Sequence, residues 1–177
     1  SDLVEKKSKK DVEQSDAQRI KSSETSSSLK RKKSKKHLHI LIAEDDQMNR
    51  YTIKEILLKL GYIEKNITMV ENGKECVDII KRSYPEKLSG SSKMLSSEKV
   101  EKFDVILMDI KMPVMDGIEA TRHIRQLPEH PYIIAVSASV QASDKQKCQN
   151  VGIDGYLTKP IEIDKLEAIL TQFVKNH

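Results

Sequence analysis

The chain has 177 residues, of which 31 are Lys or Arg and 27 are Asp or Glu, for a net charge of +4 at neutral pH. That length suits one domain of ordinary size with a remainder; no apolar run approaches the roughly 20 residues a bilayer-spanning helix needs, and two cysteines are too few for a disulfide framework. The charge is unevenly placed: residues 1–36 carry 12 basic and 6 acidic side chains, a net of +6, against 19 and 21, a net of −2, over residues 37–177, so the basic balance that would point to nucleic acid belongs to the leading segment alone.

Residues 1–36 are rich in Lys, Ser, Glu and Gln and hold no aromatic side chain, a composition with too little apolar surface to offset the entropy of ordering. The run KRKKSKK (30–36) reads as part of a solvated linker, with a nuclear-import or nucleic-acid patch as its functional alternative. From residue 37 the pattern changes. HLHILIA (37–43) is a short continuous apolar run, as expected of a strand covered on both faces. DQMNRYTIKEILLKLG (46–61) then spaces Ile53, Ile56, Leu57 and Leu60 as a helix does, with Gly61 where the chain would leave it. NITMVE (66–71) alternates apolar and polar residues, the pattern of a sheet-edge strand, and GKECVDIIKRSY (73–84) is helical again.

Residues 85–102, rich in Ser and Lys, read as a long surface insertion. FDVILMD (103–109) is the second continuous apolar run, followed by a helix from about Gly117 to Leu127. PYIIAVSA (131–138) is the third, followed by a helix over 141–151. DGYLTKP (154–160) gives a short strand and 162–175 a closing helix. Strand and helix alternate five times, which predicts an α/β fold over residues 37–177, a parallel sheet with helices on both faces. Cys76 and Cys148 fall in helical stretches at no metal-ligand spacing and read as small buried thiols of a reducing compartment.

In such a sheet the chemistry sits outside the carboxyl ends of the strands, beside the point where strand order reverses. The first run delivers Glu44 and Asp45 there, with Asp46 close behind; the others deliver Asp109, Ser137 and Lys159, the last followed by Pro160. One acid at a strand end is ordinarily a helix cap, and Asp46 is read as the cap of the 46–61 helix. Ser137 alone would be a loop hydroxyl, and Lys159 alone a surface cation. Their joint arrival points to function. Three convergent carboxylates repel unless a cation lies between them. An oxygen-only ligand set that keeps waters suits Mg2+, with Mn2+ as a similar hard-cation alternative. A hydroxyl and an ammonium opposite them suit an anion with several oxygens, such as a phosphoryl group. Asp109 is therefore read as a shared metal ligand placed to act as a nucleophile, forming an aspartyl phosphate.

Four stretches, ILIAEDD (40–46), LMDIKMPVMDG (107–117), AVSAS (135–139) and GYLTKP (155–160), resemble in order and spacing the receiver domain of two-component response regulators. The likeness covers about residues 38–175, outside the 85–102 insertion. It implies a flavodoxin-like, doubly wound five-stranded sheet of strand order 2-1-3-4-5. It also implies roles. Asp109 is the phosphoacceptor, Asp45 a direct Mg2+ ligand, Glu44 its neighbour acting through water, and the Lys111 backbone carbonyl a further ligand. Lys159 pairs with the phosphoryl group, and its bond to Pro160 is cis. Ser137 is the switch hydroxyl, and Tyr156 the aromatic that swings inward behind it. Such a domain catalyses its own phosphorylation and dephosphorylation. Two departures stand out: Asp46 where the family often has Asn, adding negative charge near the metal, and an insertion longer than usual.

The wording ED…MNR with MDIKMPVMDG is similar to receivers fused to the end of hybrid histidine kinases. The chain opens on Ser1 rather than Met and stops two residues after its last predicted helix. Both features suit a piece of a longer protein whose output passes through protein contact, not through a DNA-binding domain. The expected partner is a histidine phosphotransfer protein or a histidine kinase domain, with a stand-alone regulator gating an effector as the alternative. No nucleic-acid or membrane contact is expected of residues 37–177, and the expected location is cytoplasmic, or nuclear through the basic run. A phosphatase of the haloacid dehalogenase type also uses an aspartate nucleophile and Mg2+, but needs a second Asp two positions on, where this chain has Lys111. A third reading makes the basic segment a nucleic-acid binder switched by the receiver. On the 46–61 helix, Met48, Tyr51, Glu55 and Leu58 fall opposite the apolar face. Scattered exposed apolar residues are ordinary, yet three of these four are apolar or aromatic, so Met48 and Tyr51 are expected to anchor the partner, with Leu58 at the rim.

Overall fold

The computed structural model describes residues 37–84 and 101–177. The leading segment 1–36 and all of the predicted insertion except Glu101 and Lys102 lie outside them. In chain order the elements are β1 (Ile40–Ala43), α1 (Gln47–Lys59), a short 3-10 turn (Glu64–Asn66), β2 (Ile67–Val70), α2 (Gly73–Ser83), β3 (Val105–Asp109), α3 (Gly117–Arg125), β4 (Tyr132–Ser137), α4 (Ala142–Asn150), β5 (Gly155–Thr158) and α5 (Ile163–Asn176). The strands form one parallel sheet in the order β2-β1-β3-β4-β5, with β2 at an edge as its alternating sequence predicted.

Successive residues of a strand point to opposite faces, so an unbroken apolar run builds two cores at once. Leu41, Ala43, Ile106, Met108, Ile133 and Ala135 meet Cys76, Val77 and Ile80 of α2, Ala120 and Ile124 of α3, and Cys148 of α4. On the other face Ile40, Ile42, Val105, Leu107, Ile134 and Val136 meet Ile53 and Leu57 of α1 and Leu166, Leu170 and Phe173 of α5. Both cysteines are free and buried, and burial pushes the Cys76 thiol up to about 12, so neither behaves as a reactive thiolate. No helix among the described residues is long and apolar enough to cross a membrane.

Several element ends are shorter than the apolar runs suggested. β1 begins at Ile40, not at residue 37, because the His39 N–H donates to the Asp104 carboxylate (2.7 Å) and the His39 carbonyl accepts from Asp104 N–H (2.9 Å). Asp46 does cap α1, its carboxylate accepting from Asn49 N–H at 2.8 Å, and Gly61 follows the helix with φ +88°, a conformation glycine adopts without a Cβ clash. At the amino edge of the sheet the Tyr84 hydroxyl, just past α2, donates to the Phe103 carbonyl, just before β3. The end of α2 is thereby tied to the start of β3.

Candidate functional site

The register of the two central strands decides what meets at their carboxyl ends. Ala43 of β1 lies opposite Met108 of β3, so the next residues, Glu44 and Asp109, leave the sheet side by side. Both residues are nearly sealed from solvent, at 1% and 5% exposure. Asp45 is exposed at the rim, and one carboxylate oxygen from each of Glu44, Asp45 and Asp109 lies within 4.8 Å of the others. Lys159, delivered after β5, closes the arrangement: its Nζ sits 2.6 Å from Glu44 Oε2 and 3.2 Å from Asp109 Oδ2. Glu44 Oε2 has no partner in hydrogen-bond alignment, but at 2.6 Å the attraction of opposite charges governs that contact whatever its angle. The Lys159 N–H donates to the Ser137 carbonyl (2.8 Å), and the Lys159–Pro160 bond is cis, as the resemblance implied.

These surroundings set the charge states. Burial raises the Asp109 carboxyl to about 6, helped by the neighbouring Glu44 charge and opposed by Lys159 and by the Lys111 N–H that donates to Oδ1 at 3.2 Å. For Lys159, burial pulls downward, but Glu44 and Asp109 together outweigh it and hold the ammonium above its usual range. An acidic pair that shares one lysine and still carries surplus negative charge can hold a divalent cation.

The loop from Ile110 to Asp116 walls the site. It turns tightly at Val114, which has φ +69° and is 81% exposed, with Met115 N–H donating to the Pro113 carbonyl at 2.7 Å, a γ-turn of the strained hand. It then runs into α3 at Gly117, whose N–H donates to the Ile110 carbonyl at 3.0 Å. A Cβ at Gly117 would lie 2.3 Å from the Asp109 carbonyl oxygen, so only glycine lets α3 start this close to the strand end. A cleft of about 680 Å³ opens beside this loop, lined by Asp45, Lys111, Ser137, Cys148 and Tyr156 among others.

Ser137 ends β4 with its Oγ buried and accepting from Ser139 N–H at 3.1 Å. Tyr156 is half-buried against the apolar cluster under α3 and α4, and its hydroxyl donates to the Ser139 carbonyl at 2.8 Å. The two expected switch residues therefore grip the same residue of the β4–α4 loop. On α1, Met48 and Tyr51 are 75% and 48% exposed as expected, while Leu58 is half-buried.

One residue near the acids was not anticipated. Arg50 lies on the buried side of α1 and donates through Nη1 to the Glu44 (2.8 Å) and Asp45 (2.9 Å) carbonyls, and through Nη2 to Glu71 Oε1 (2.9 Å). The signal was available: the buried residues of α1 are Arg50, Ile53 and Leu57, spaced as one helical stripe, so the arginine occupies an apolar position.

The family described as "Response regulator receiver domain" matches residues 40–171. The chain is 40% identical over 141 residues to hybrid signal transduction histidine kinase I of Dictyostelium discoideum, covering 77% of this chain and 7% of that kinase. Among solved structures, it is similar to the receiver domain of a Pseudomonas aeruginosa sensor histidine kinase with magnesium coordinated in its active-site cleft (30% identity, TM-score 0.57, covering 77% of this chain and 96% of that one). It is also similar to a Saccharomyces cerevisiae co-crystal of the histidine phosphotransfer protein Ypd1 with the receiver domain of Ssk1 (27% identity, TM-score 0.61, 78% and 89% covered).

Proposed function

Because this chain belongs to the response regulator receiver family and is homologous to the receiver portions of hybrid histidine kinases, we propose that it accepts a phosphoryl group from a phosphohistidine onto Asp109. The observation that carries the reading is the buried Asp109 carboxylate, flanked by two further acids within 4.8 Å and by Lys159 at 3.2 Å. In the transfer, the bond between phosphorus and the imidazole nitrogen breaks as a bond from an Asp109 carboxylate oxygen to phosphorus forms. The electron pair returns to the imidazole. With its carboxyl at about 6, Asp109 is ionised at neutral pH and more basic than an ordinary aspartate, which favours it as the nucleophile. Lys159 turns from neutralising Glu44 and Asp109 to neutralising the phosphoryl oxygens, and the Ser137 hydroxyl is the group proposed to turn toward them, coupling to Tyr156 through their shared hold on Ser139.

Glu44, Asp45, Asp109 and the Lys111 backbone carbonyl are the groups proposed to hold magnesium, or manganese, since the side-chain donors are all carboxylate oxygens. When bound, such an ion supplies positive charge to the phosphoryl oxygens. Because a proton on Asp109 competes with that ion, magnesium affinity measured by calorimetry should be flat above neutrality and fall as pH drops through about 6. In the metal-free fold, a carboxyl raised in the folded state contributes stability at low pH that is lost as pH rises through about 6. Magnesium affinity that is unchanged well below that value would remove Asp109 from the ligand set.

The test of the reading is the mass of the intact chain after incubation with a small phosphodonor and magnesium. One phosphoryl group should appear on the wild type and none on Asp109→Asn; equal labelling of both would overturn it. The phosphatase alternative loses ground on the position it needs most, since Lys111 is exposed and contributes its N–H to Asp109. This chain spans only 7% of the length of that Dictyostelium kinase; we propose that the domain works as part of such a kinase, on its cytosolic side, exchanging phosphate with a histidine phosphotransfer protein or a histidine kinase domain. The exposed Met48 and Tyr51 on α1, beside Asp45, are the proposed anchors, with Leu58 at their rim. Tyr51→Ala should slow transfer from the cognate phosphotransfer protein about tenfold or more, a hot-spot effect, and leave small-donor labelling intact. If both routes slow equally, Tyr51 supports the fold instead.

A further inference from the structure

Resting on the reading of Glu44, Asp45 and Asp109 as one cation site, we infer that Arg50 is a positioning residue that aims the Asp45 carboxylate. Asp45 is the exposed member of the trio, and no hydrogen bond or ion pair joins its carboxylate to another described residue. Its direction is set by its backbone. The two peptide units flanking its Cα are planar, leaving φ and ψ as the soft variables. The carbonyl of the first unit belongs to Glu44 and that of the second to Asp45, and both accept from the same nitrogen, Arg50 Nη1, at 2.8 and 2.9 Å. Holding both planes fixes both angles, and with them the Cα–Cβ bond of Asp45.

The clamp is itself anchored. The Arg50 side chain is only 9% exposed, packed along the buried stripe of α1, and its second terminal nitrogen is tied to Glu71 at 2.9 Å, just beyond β2. The loop after β1 is thereby fastened to the loop after β2. A planar guanidinium can serve three acceptors in fixed directions, whereas an ammonium is a single point on a flexible stem. Lysine would keep the charge and most of the packing but not the three-way grip.

Magnesium should be titrated calorimetrically into the full chain as wild type, Arg50→Met and Arg50→Lys, with hydrogen exchange of the Asp46 amide followed in the metal-free proteins. That amide donates to Glu44 Oε1 at 3.1 Å and reports the order of the loop. Arg50→Met is expected to bind magnesium about tenfold more weakly or worse, the usual cost of losing a group that orients a ligand, with faster Asp46 exchange. Arg50→Lys should remain several-fold weaker than wild type. A folded Arg50→Lys protein that binds like wild type would overturn the inference, since charge and stem would then suffice, and so would an unaltered Arg50→Met affinity. If Arg50→Met fails to fold, the lysine variant decides. A wild type that does not bind magnesium at all would instead overturn the cation site, and the role of Arg50 with it.

Discussion

Lys159→Met should lower the melting temperature of the metal-free protein by about 5–10 °C at neutral pH. Among the described residues, Lys159 is the one ammonium within 3.2 Å of both Glu44 and Asp109, which are 1% and 5% exposed. Removing one partner of a buried ion pair costs about 3–5 kcal/mol. Here a carboxyl already raised to about 6 can take up a proton and limit that loss, so about 2–3 kcal/mol is expected, each worth about 2–4 °C for a domain of this size. The escape route predicts its own signature. Lys159 holds the Asp109 carboxyl down, so without it that carboxyl takes up its proton at a higher pH than in wild type, and the gap between variant and wild type should narrow as pH falls from neutrality toward about 6. Millimolar magnesium should narrow it at neutral pH by occupying the same position. Identical melting curves for the two proteins at neutral pH would mean that water, not Lys159, compensates these acids.

Gly117→Ala is expected to slow small-donor labelling of Asp109 about a hundredfold, the scale of a 1 Å misplacement at a reacting centre. The added methyl would sit 2.3 Å from the Asp109 carbonyl oxygen and 3.0 Å from both the Ile110 Cα and the Met108 Cγ. Two of those three atoms are backbone and cannot rotate away. Either α3 withdraws, breaking the Gly117 N–H bond to the Ile110 carbonyl, or the end of β3 moves with the nucleophile on it. Overpacking of this kind costs about 1–3 kcal/mol, so the variant should still fold in the cold, where its labelling rate can be compared with wild type. Gly155→Ala is the control, because its methyl would meet nothing closer than 3.4 Å. Normal labelling of Gly117→Ala would show that the loop tolerates displacement and that its fit does not govern the chemistry.

Much of this could be read from residue order because the governing rules are local. Apolar runs of four to six residues declared strands covered on both faces, and in a parallel sheet every such strand aims its last residue at the same edge. Residue order alone therefore brings Glu44, Asp109, Ser137 and Lys159 together, and it also marks the cap at Asp46. The strand starts were less legible, since whether His39 continues a ladder depends on Asp104, a residue 65 positions away. Arg50 was missed for a related reason: an arginine on an amphipathic helix is ordinarily solvated, and only the carbonyls of the preceding loop, folded back beneath it, give its charge a buried use. Leu58 proved half-buried, not fully outward, because helical angles alone do not register how neighbouring side chains lean over a surface.

The clasp between Tyr84 and Phe103 bears on what this scaffold can carry. Because the hydroxyl of one meets the carbonyl of the other, the two ends of the chain between α2 and β3 are held together independently of what joins them. For a flexible joining segment, doubling the length adds only about 0.6 kcal/mol of closure entropy. The junction also lies at the amino edge of the sheet, the full length of a strand away from the acids at the carboxyl edge. Evolution and engineering therefore meet the same permissive gate: a spacer, an epitope or an entire guest module can enter between these two residues at little thermodynamic cost, while the carboxylates on the far side keep their register.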